Sequence, residues 1–303
     1  MLRIRKDQVI YSFSPTMKAV AEVDDGAIVL FESNDCFMQQ VQSEQDALQS
    51  IDREQLNPAT GPVHVRGARA GDLLKVDILA IDVSDHGSAA VVPGEGILGD
   101  EVEEAIVRIM PIENGEAVFQ GIRMPIQPMI GVIGVAPADH DGPCRTDTPW
   151  KHGGNMDTRD IRRGATLYFP VHQEGALFAL GDCHALMADG EVCFTGLEIT
   201  AEVTVRLSVV KGKTSTWPLL EVEDSTMVIG SGETLEKAAA AAISPIVACL
   251  AKAFNLMWEE AYILASLMVD IRISQVVDPM RTVRAVVPKY LISTENLLEQ
   301  LSS

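Results

Sequence analysis

The chain has 303 residues, which is enough for one large domain or two closely joined ones. Hydrophobic residues make up 47% of it and aromatic residues only 5%, so the core must be mainly aliphatic. The formal net charge of −19 argues against a nucleic-acid partner, whose phosphates need a basic surface, and against an anionic membrane surface. The charge is best explained as a solvated acidic surface that aids solubility.

The N-terminus and the cysteines indicate the cellular compartment. Residues 1–6 are basic, but no apolar signal-peptide core follows them, and no apolar run reaches the length of a membrane span. The five cysteines are scattered, odd in number and form no CxxC pair, which favours neither a disulfide framework nor a zinc ribbon. We therefore expect a cytoplasmic protein.

Short strands separated by turn signals dominate most of the chain. Residues 27–32 form an apolar strand, and residues 73–82 and 201–210 alternate between polar and apolar positions with a period of two. Asp35 follows the first of these strands, where it either caps a turn or presents a carboxylate to a site. Residues 43–56 are polar and Gln-rich, which suggests an exposed and helical segment.

The apolar pattern changes to a helical period near residue 234. Helices are predicted over residues 234–254, with a start or kink at Pro245, over 257–268, and from Ser293. The Met, Leu and Ala content of the second helix favours core packing.

These patterns together predict a fold that is mainly β. We expect a β-sandwich or barrel-like body over residues 1–230 and a smaller α+β portion over residues 231–303, which together form one unit over 1–303.

Residues 181–198, GDCHALMADGEVCFTGLE, are the stretch richest in site-type residues. Asp182 and His184 lie two residues apart on a predicted strand and so point the same way, whereas Cys183 points into the core. A turn at Asp189-Gly190 would return the chain and bring Glu198 beside Asp182. Two carboxylates and an imidazole on rigid strands make a plausible divalent-metal site, although a surface hairpin with scattered polar residues fits the same pattern.

Residues 137–160 form the longest stretch without apolar periodicity. Such segments are usually either functional or disordered, and this one is an ordered functional loop or a solvated connector. Gly153-Gly154 would let the backbone approach a ligand closely.

Five motifs appear in order along the chain: NPATGPVHV (57–65), GEGILGD (94–100), GGNMD (153–157), GDCHALMADGE (181–191) and DIRISQVVDP (270–279). In these motifs the chain resembles the acetamidase/formamidase family. The resemblance implies a β-rich fold, a bound divalent metal and hydrolysis of short aliphatic amides to a carboxylate and ammonia. Met187-Ala188 departs from the family's usual Gln-Gly pair.

Residue chemistry and placement then suggest a role for each candidate. The candidate metal ligands are Asp182, His184 and Glu198, with Asp35 as a fourth. The candidate catalytic residues are Glu191 or Asp157 as general base and Asn155 as a hydrogen-bond donor to the substrate or the oxyanion. The candidate substrate-binding residues are His152, Gly153 and Gly154.

The expected cofactor is a divalent metal, with zinc favoured over calcium or magnesium because an imidazole joins the carboxylates. The expected partner is a small amide substrate. A homodimer or higher homo-oligomer is also expected, because the two Ala/Leu/Met-rich helices could supply an apolar face. The alternatives are a cyclic-amide (lactam) hydrolase, a non-catalytic ligand-binding relative and a structural metal protein.

Overall fold

The computed structural model describes residues 1–46 and 48–302. Its strands within these residues are β1 Leu2–Ile4, β2 Val9–Ile10, β3 Ser12–Phe13, β4 Ala21–Val23, β5 Ala27–Ser33, β6 Ala59–Val65, β7 Leu73–Val83, β8 His86–Val91, β9 Ile106–Glu113, β10 Glu116–Phe119, β11 Ile122–Pro125, β12 Met129–Gly134, β13 Cys144–Arg145, β14 Gly153–Asn155, β15 Thr166–Pro170, β16 Phe178–His184, β17 Glu198–Ile199, β18 Ala201–Val210, β19 Leu219–Glu221, β20 Ser225–Gly232, β21 Asp270–Gln275 and β22 Arg281–Pro288. Its α-helices are α1 Leu235–Phe254, α2 Trp258–Met268 and α3 Thr294–Ser302.

The strands form two large sheets and one small one. The first sheet has nine strands in the order β1-β5-β18-β7-β15-β19-β20-β22-β21. The second sheet has 11 strands: eight run β11-β10-β9-β8-β17-β16-β12-β14, and β6 pairs with β16, β2 and β4. Strands β3 and β13 pair separately. The prediction of a mainly β fold is confirmed.

The two large sheets pack face to face around one aliphatic core. Phe178 of the second sheet meets Phe31 and Phe169 of the first, with ring centroids 5.6 Å and 6.4 Å apart. Along β18 the side chains alternate between buried and half-exposed, so Val203 and Val205 enter the core, as the period of two predicted. This sandwich holds β16, every residue of which is buried, in the interior of the molecule.

Helix α1 covers the outer face of the first sheet. The side chain of Thr234 accepts a hydrogen bond from the backbone N–H of Lys237, and this cap begins the helix where the sequence predicted it. The helix continues through Pro245, so the expected start of a segment there is wrong. By length and composition α1 could cross a membrane, which corrects the expectation that no segment reaches that length. Its buried residues pack against β20 and β22, and core helices pass the same test.

Helix α2 confirms the expected core packing on one face only. Its buried residues are Ala261 and Ala265, which belong to the same apolar cluster as the buried residues of α1 and allow close contact with that helix. Trp258, Ile263 and Leu267 are 56–74% exposed, so the other face of this helix is apolar and exposed. The homo-oligomer stays a prediction.

The polar segment at residues 43–56 is mostly exposed where the structure describes it, as predicted. It forms two short 3-10 helices, Leu48–Ser50 and Arg53–Gln55, instead of a regular helix. Phe37 and Leu48 are buried in a small cluster with Val107 of β9. This packing places Phe37 and Leu48 against β8 and β9 of the second sheet, where both line a cavity.

Candidate active site

Strand β16 carries the centre of the site. Asp182 and His184 are 2% and 1% exposed, while Cys183 between them is fully buried in the core between the sheets, as predicted. The return strand has a different register from the one expected, because Glu198 pairs opposite His184 and not beside Asp182. The reason is that the intervening chain is a loop and not a tight hairpin, with Gly190 bridging to Gln275.

Three carboxylates surround the imidazole of His184. Its Nε2 lies 3.2 Å from Glu198 Oε2, 3.4 Å from Asp182 Oδ1 and 3.7 Å from Asp157 Oδ1. All four side chains are 2% exposed or less. Asp157 comes from the loop after β14, so the irregular segment at residues 137–160 is ordered where it meets the site.

Many polar atoms of this cluster make no hydrogen bond to any described residue, although buried polar groups are normally paired. The unpaired buried atoms are Asn155 Oδ1, Asp157 Oδ1, Asp182 Oδ1, His184 Nδ1, Glu198 Oε2 and Asp278 Oδ2. Other oxygens of the same side chains are paired: Asp182 Oδ2 accepts from Asn57 Nδ2 at 3.0 Å, and Glu198 Oε1 accepts from the backbone N–H of Gly196 at 2.9 Å. A ligand bound among these side chains would pair several of these atoms.

Burial and mutual repulsion shift the protonation of these groups. Burial raises the pKa of Asp157 and of Glu198 to about 7, although the nearby His184 opposes the shift. Burial also raises the pKa of Glu191 and of Asp278 well above the usual range, and the charge of Asp157 adds to both shifts. Burial by itself lowers the pKa of His184, but the facing carboxylates outweigh it and hold that pKa well above its ordinary value.

Two sets of side chains have the composition and spacing of a cation site. One set joins Asp157, His184 and Glu191, and the other joins Cys36, Asp182 and Glu198; within each set the ligand atoms lie within 4.8 Å of one another. Carboxylate oxygens, imidazole nitrogen and thiolate sulfur are ordinary ligands of zinc. A divalent cation would also satisfy the unpaired atoms and reduce the repulsion, so the donor set fits one.

Two glycines make room for the cluster. A Cβ on Gly131 would lie 2.4 Å from Asp157 Oδ1 and 3.0 Å from Asp182 Oδ2, and a Cβ on Gly196 would lie 2.5 Å from His184 Nδ1. Three of the acids also have left-handed backbones, with φ of +37° at Asp157, +53° at Asp182 and +48° at Glu191. Such strain in non-glycine residues is concentrated at functional sites.

A second buried charged group holds the loops of the first. Arg284 is 1% exposed and donates to Asp160 Oδ2 at 2.8 Å and to both carboxylate oxygens of Asp189 at 2.8 Å and 2.9 Å. Asp160 follows Asp157 by three residues, and Asp189 precedes Glu191 by two. One guanidinium therefore ties down both loops that carry the acids on either side of His184.

The cluster opens into a cavity of about 480 Å³. The inner end is polar and includes Asn155, Asp182, His184, Glu191 and Glu198. The outer part is lined by apolar side chains, among them Phe37, Ile51 and Leu56, and by the charged residues Arg53, Glu95, Asp147 and Arg281. A buried acidic and imidazole cluster at the end of an apolar cavity can bind a small polar group and exchange protons with it.

Comparison with known proteins identifies the family. A family model described as the Acetamidase/Formamidase family matches residues 3–141 and 140–293. The chain belongs to the acetamidase/formamidase family. The match confirms the family that the five motifs predicted.

Solved structures and a curated relative are similar to this family member. An acetamidase from Bacillus halodurans is 40% identical, with complete coverage of both chains and a TM-score of 0.93. A predicted acetamidase/formamidase from Thermoanaerobacter tengcongensis is also 40% identical, with 98% of each chain covered and a TM-score of 0.94. The formamidase of Methylophilus methylotrophus is 24% identical over 67% of this chain and 64% of its own length. The chain spans 63–66% of the length of the curated relatives it matches.

The structure brings six of the predicted residues of this acetamidase/formamidase family member to one site. They are Asn155, Asp157, Asp182, His184, Glu191 and Glu198. The loop after Asp189-Gly190 brings Glu191 to within ligand distance of Asp157 and His184. The individual roles of these residues stay predictions.

Asp35 and His152 lie outside the two sets of candidate ligands. Asp35 Oδ1 accepts a hydrogen bond from the backbone N–H of Gln39, and its side chain lines a smaller cavity that Glu198 also lines. His152 is fully buried with its ring 5.0 Å from that of Phe13, and burial lowers its pKa to about 3. Its imidazole is neutral and does not line the main cavity, where a substrate-binding residue was predicted.

Gly153 and Gly154 were predicted to let the backbone approach a ligand. In the structure they let it approach other backbone segments. Strand β14 pairs with β12, and a Cβ on Gly153 would lie 2.2 Å from the carbonyl oxygen of Ile133. A Cβ on Gly154 would lie 2.3 Å from the carbonyl oxygen of Thr148. This close backbone packing helps to position Asn155 and Asp157, which follow in the chain. Neither glycine lines the main cavity.

Three residues at the site were missed by sequence reasoning. Asn57 and Asp278 stand inside motifs that carried the family resemblance, but those motifs gave them no role. Asp278 accepts a hydrogen bond from Asn155 Nδ2 at 3.3 Å. Cys36, the residue after Asp35, lies beside Asp182 and Glu198, where Asp35 was predicted. No pattern in the sequence distinguished Cys36 from a core cysteine.

Proposed function

We propose that this protein hydrolyses the C–N bond of short aliphatic amides, such as formamide and acetamide, to a carboxylate and ammonia, and that it does so with a bound divalent metal. The observation that carries the proposal is the set of unpaired buried atoms around His184 at the inner end of the cavity. The named activities of the family's other members support the choice of an amide substrate.

The ligands would be His184, Asp182 and Glu198, with Asp157 close enough to join them. This mixture of imidazole and carboxylate favours zinc over calcium or magnesium. When bound, the metal would polarise the amide carbonyl and lower the pKa of a water molecule.

The protein's own acids would handle the protons. Glu191 and Asp157 are buried together with raised pKa values, so near neutral pH one can hold a proton while the other is ionised. The ionised one accepts a proton as water attacks the carbonyl carbon, and a carboxylic acid returns a proton to the nitrogen as the C–N bond breaks. Asn155, whose Nδ2 points into the same group of acids, would donate a hydrogen bond to the carbonyl oxygen.

Metal content and ammonia release test the proposal together. Exhaustive chelation should abolish release of ammonia from acetamide and formamide, and zinc should restore it. His184→Ala should lose its bound metal, and its turnover should fall at least about 10³-fold, because the substitution removes a metal ligand. Full turnover in metal-free protein would end the metal mechanism, and unchanged metal content and turnover in His184→Ala would remove His184 from the site.

A further inference from the structure

The cavity at the acidic cluster is much larger than the smallest family substrates require. Formamide and acetamide have three and four non-hydrogen atoms, whereas the cavity has a volume of about 480 Å³. Sites of roughly 300–1,000 Å³ hold ligands of drug size. Most of this space lies beyond the atoms that would react.

The extra space has an apolar wall of its own. Phe37 and Leu48 form the buried base of that wall, and Ile51, Leu56 and Val92 are packed against it. Phe194, from the loop that also carries Glu191, faces the same cavity. The last four side chains are only partly buried, so apolar surface is left facing the cavity.

The charges that line the outer part of the cavity balance in sign. Arg53 and Arg281 are matched by Glu95 and Asp147. Asp147 is already paired with Arg145 at 2.9 Å, and the Arg281 side chain donates to the carbonyl oxygen of Asp278. A substituent that lies along Ile51, Leu56 and Phe194 meets apolar side chains, so an apolar one would cover the exposed wall, whereas a charged one would lose its water there.

We propose that the preferred substrate is a primary amide whose acyl group carries an unbranched apolar chain longer than acetyl, on the order of four to six carbons. This proposal rests on the proposed function, because it places the amide at the acidic cluster and the acyl chain along Ile51, Leu56 and Phe194. Covering the wall favours binding by about twofold to fourfold for each added methylene. Binding energy from this remote part of the substrate raises kcat/KM.

Turnover of the series formamide, acetamide, butyramide and hexanamide by the zinc-loaded enzyme tests the proposal. We expect kcat/KM to rise at least tenfold from acetamide to hexanamide. Calorimetry with the inactive variant Asp157→Asn measures binding separately, and hexanamide should bind at least tenfold more tightly than acetamide. A flat or falling kcat/KM together with equal affinities would overturn the proposal while leaving acetamide hydrolysis intact. Tighter binding of hexanamide without turnover of any amide by the wild-type enzyme would support the pocket and overturn the proposed hydrolysis instead.

A variant that fills the cavity tests where the acyl chain binds, and the same substitution elsewhere serves as its control. Leu56→Trp should reduce the ratio of kcat/KM for hexanamide over acetamide at least tenfold, because the indole occupies the space of the chain. Leu267→Trp, on the exposed face of α2, makes the same substitution away from the cavity and should leave that ratio as in the wild type. Equal ratios in the two variants would place the acyl chain elsewhere.

Discussion

The two buried charged groups of this protein, around His184 and around Arg284, differ in how completely they are paired. Arg284 uses its guanidinium fully: besides Asp160 and Asp189, it donates to the carbonyl oxygen of Ile273 at 2.7 Å and to Ser274 Oγ at 3.3 Å. The carboxylates around His184 keep unpaired oxygens and no arginine or lysine forms an ion pair with any of them among the described residues.

The difference separates a structural group from a binding one. A fully paired buried charge rigidifies the fold, and removing one partner is costly. Around His184 a single imidazole faces three buried carboxylates, so an excess of negative charge is left until a cation binds, and such a group marks a site. In this protein the paired group around Arg284 holds the group around His184 in place, since the loops that Arg284 contacts carry Asp157 and Glu191.

The largest expected effect comes from breaking the paired group. Arg284→Met should lower the free energy of unfolding by about 2–4 kcal/mol, because the charge-assisted hydrogen bonds to Asp160 and Asp189 are lost while both carboxylates keep contact with water. Chemical denaturation measures this loss. The control is Arg272→Met, which breaks an exposed ion pair with Asp270 and should cost at most about 0.5 kcal/mol. Similar losses in the two variants would contradict a structural role for Arg284.

The second effect is the change of folding stability with pH that the carboxylates around His184 cause. Asp157 and Glu198 have pKa values of about 7 in the fold, against about 4 in an unfolded chain. The folded state therefore holds more protons than the unfolded state between those values, and its stability falls as pH rises through that window. We expect the metal-depleted protein to lose on the order of 2 kcal/mol between pH 5 and pH 8.

Zinc should reverse that loss, because metal ligands must be deprotonated and the cation supplies the missing charge. Thermal unfolding should show a larger zinc-induced increase in Tm at pH 8 than at pH 5. A stability that stays constant with pH in metal-depleted protein, or an equal zinc effect at both pH values, would show that these carboxylates do not titrate as a buried group.

The smallest effect compares the same substitution in the two groups. Asp157→Asn removes a crowded charge and should raise the stability of metal-depleted protein at pH 8 by about 1–2 kcal/mol while turnover is lost. Asp189→Asn weakens the bidentate pair with Arg284 and should lower stability by about 1–2 kcal/mol. Denaturation curves recorded together give the sign of each change, and two changes of the same sign would remove the distinction between the groups.

Local patterns predicted much of the fold. The period of two along β18 and the cap at Thr234 depend on neighbours in the sequence, so they could be recognised without tertiary information. The exposed face of α2 could not, because apolar composition is the same whether a helix meets a core or the surface. The register of Glu198 against His184 depended on the length of an irregular loop, which sequence reasoning took for a tight turn.

By itself the sequence determined which chemical groups were available and, through its five motifs, which family they belong to. Alternation along one strand placed Asp182 and His184 on the same side, since that is a property of any strand. Only the tertiary structure decided that Glu191, Asp278 and Cys36 join them while Asp35 and His152 do not. The physical reason is that these contacts connect distant parts of the chain through loops, and loop paths are set by packing and by pairing with residues such as Arg284.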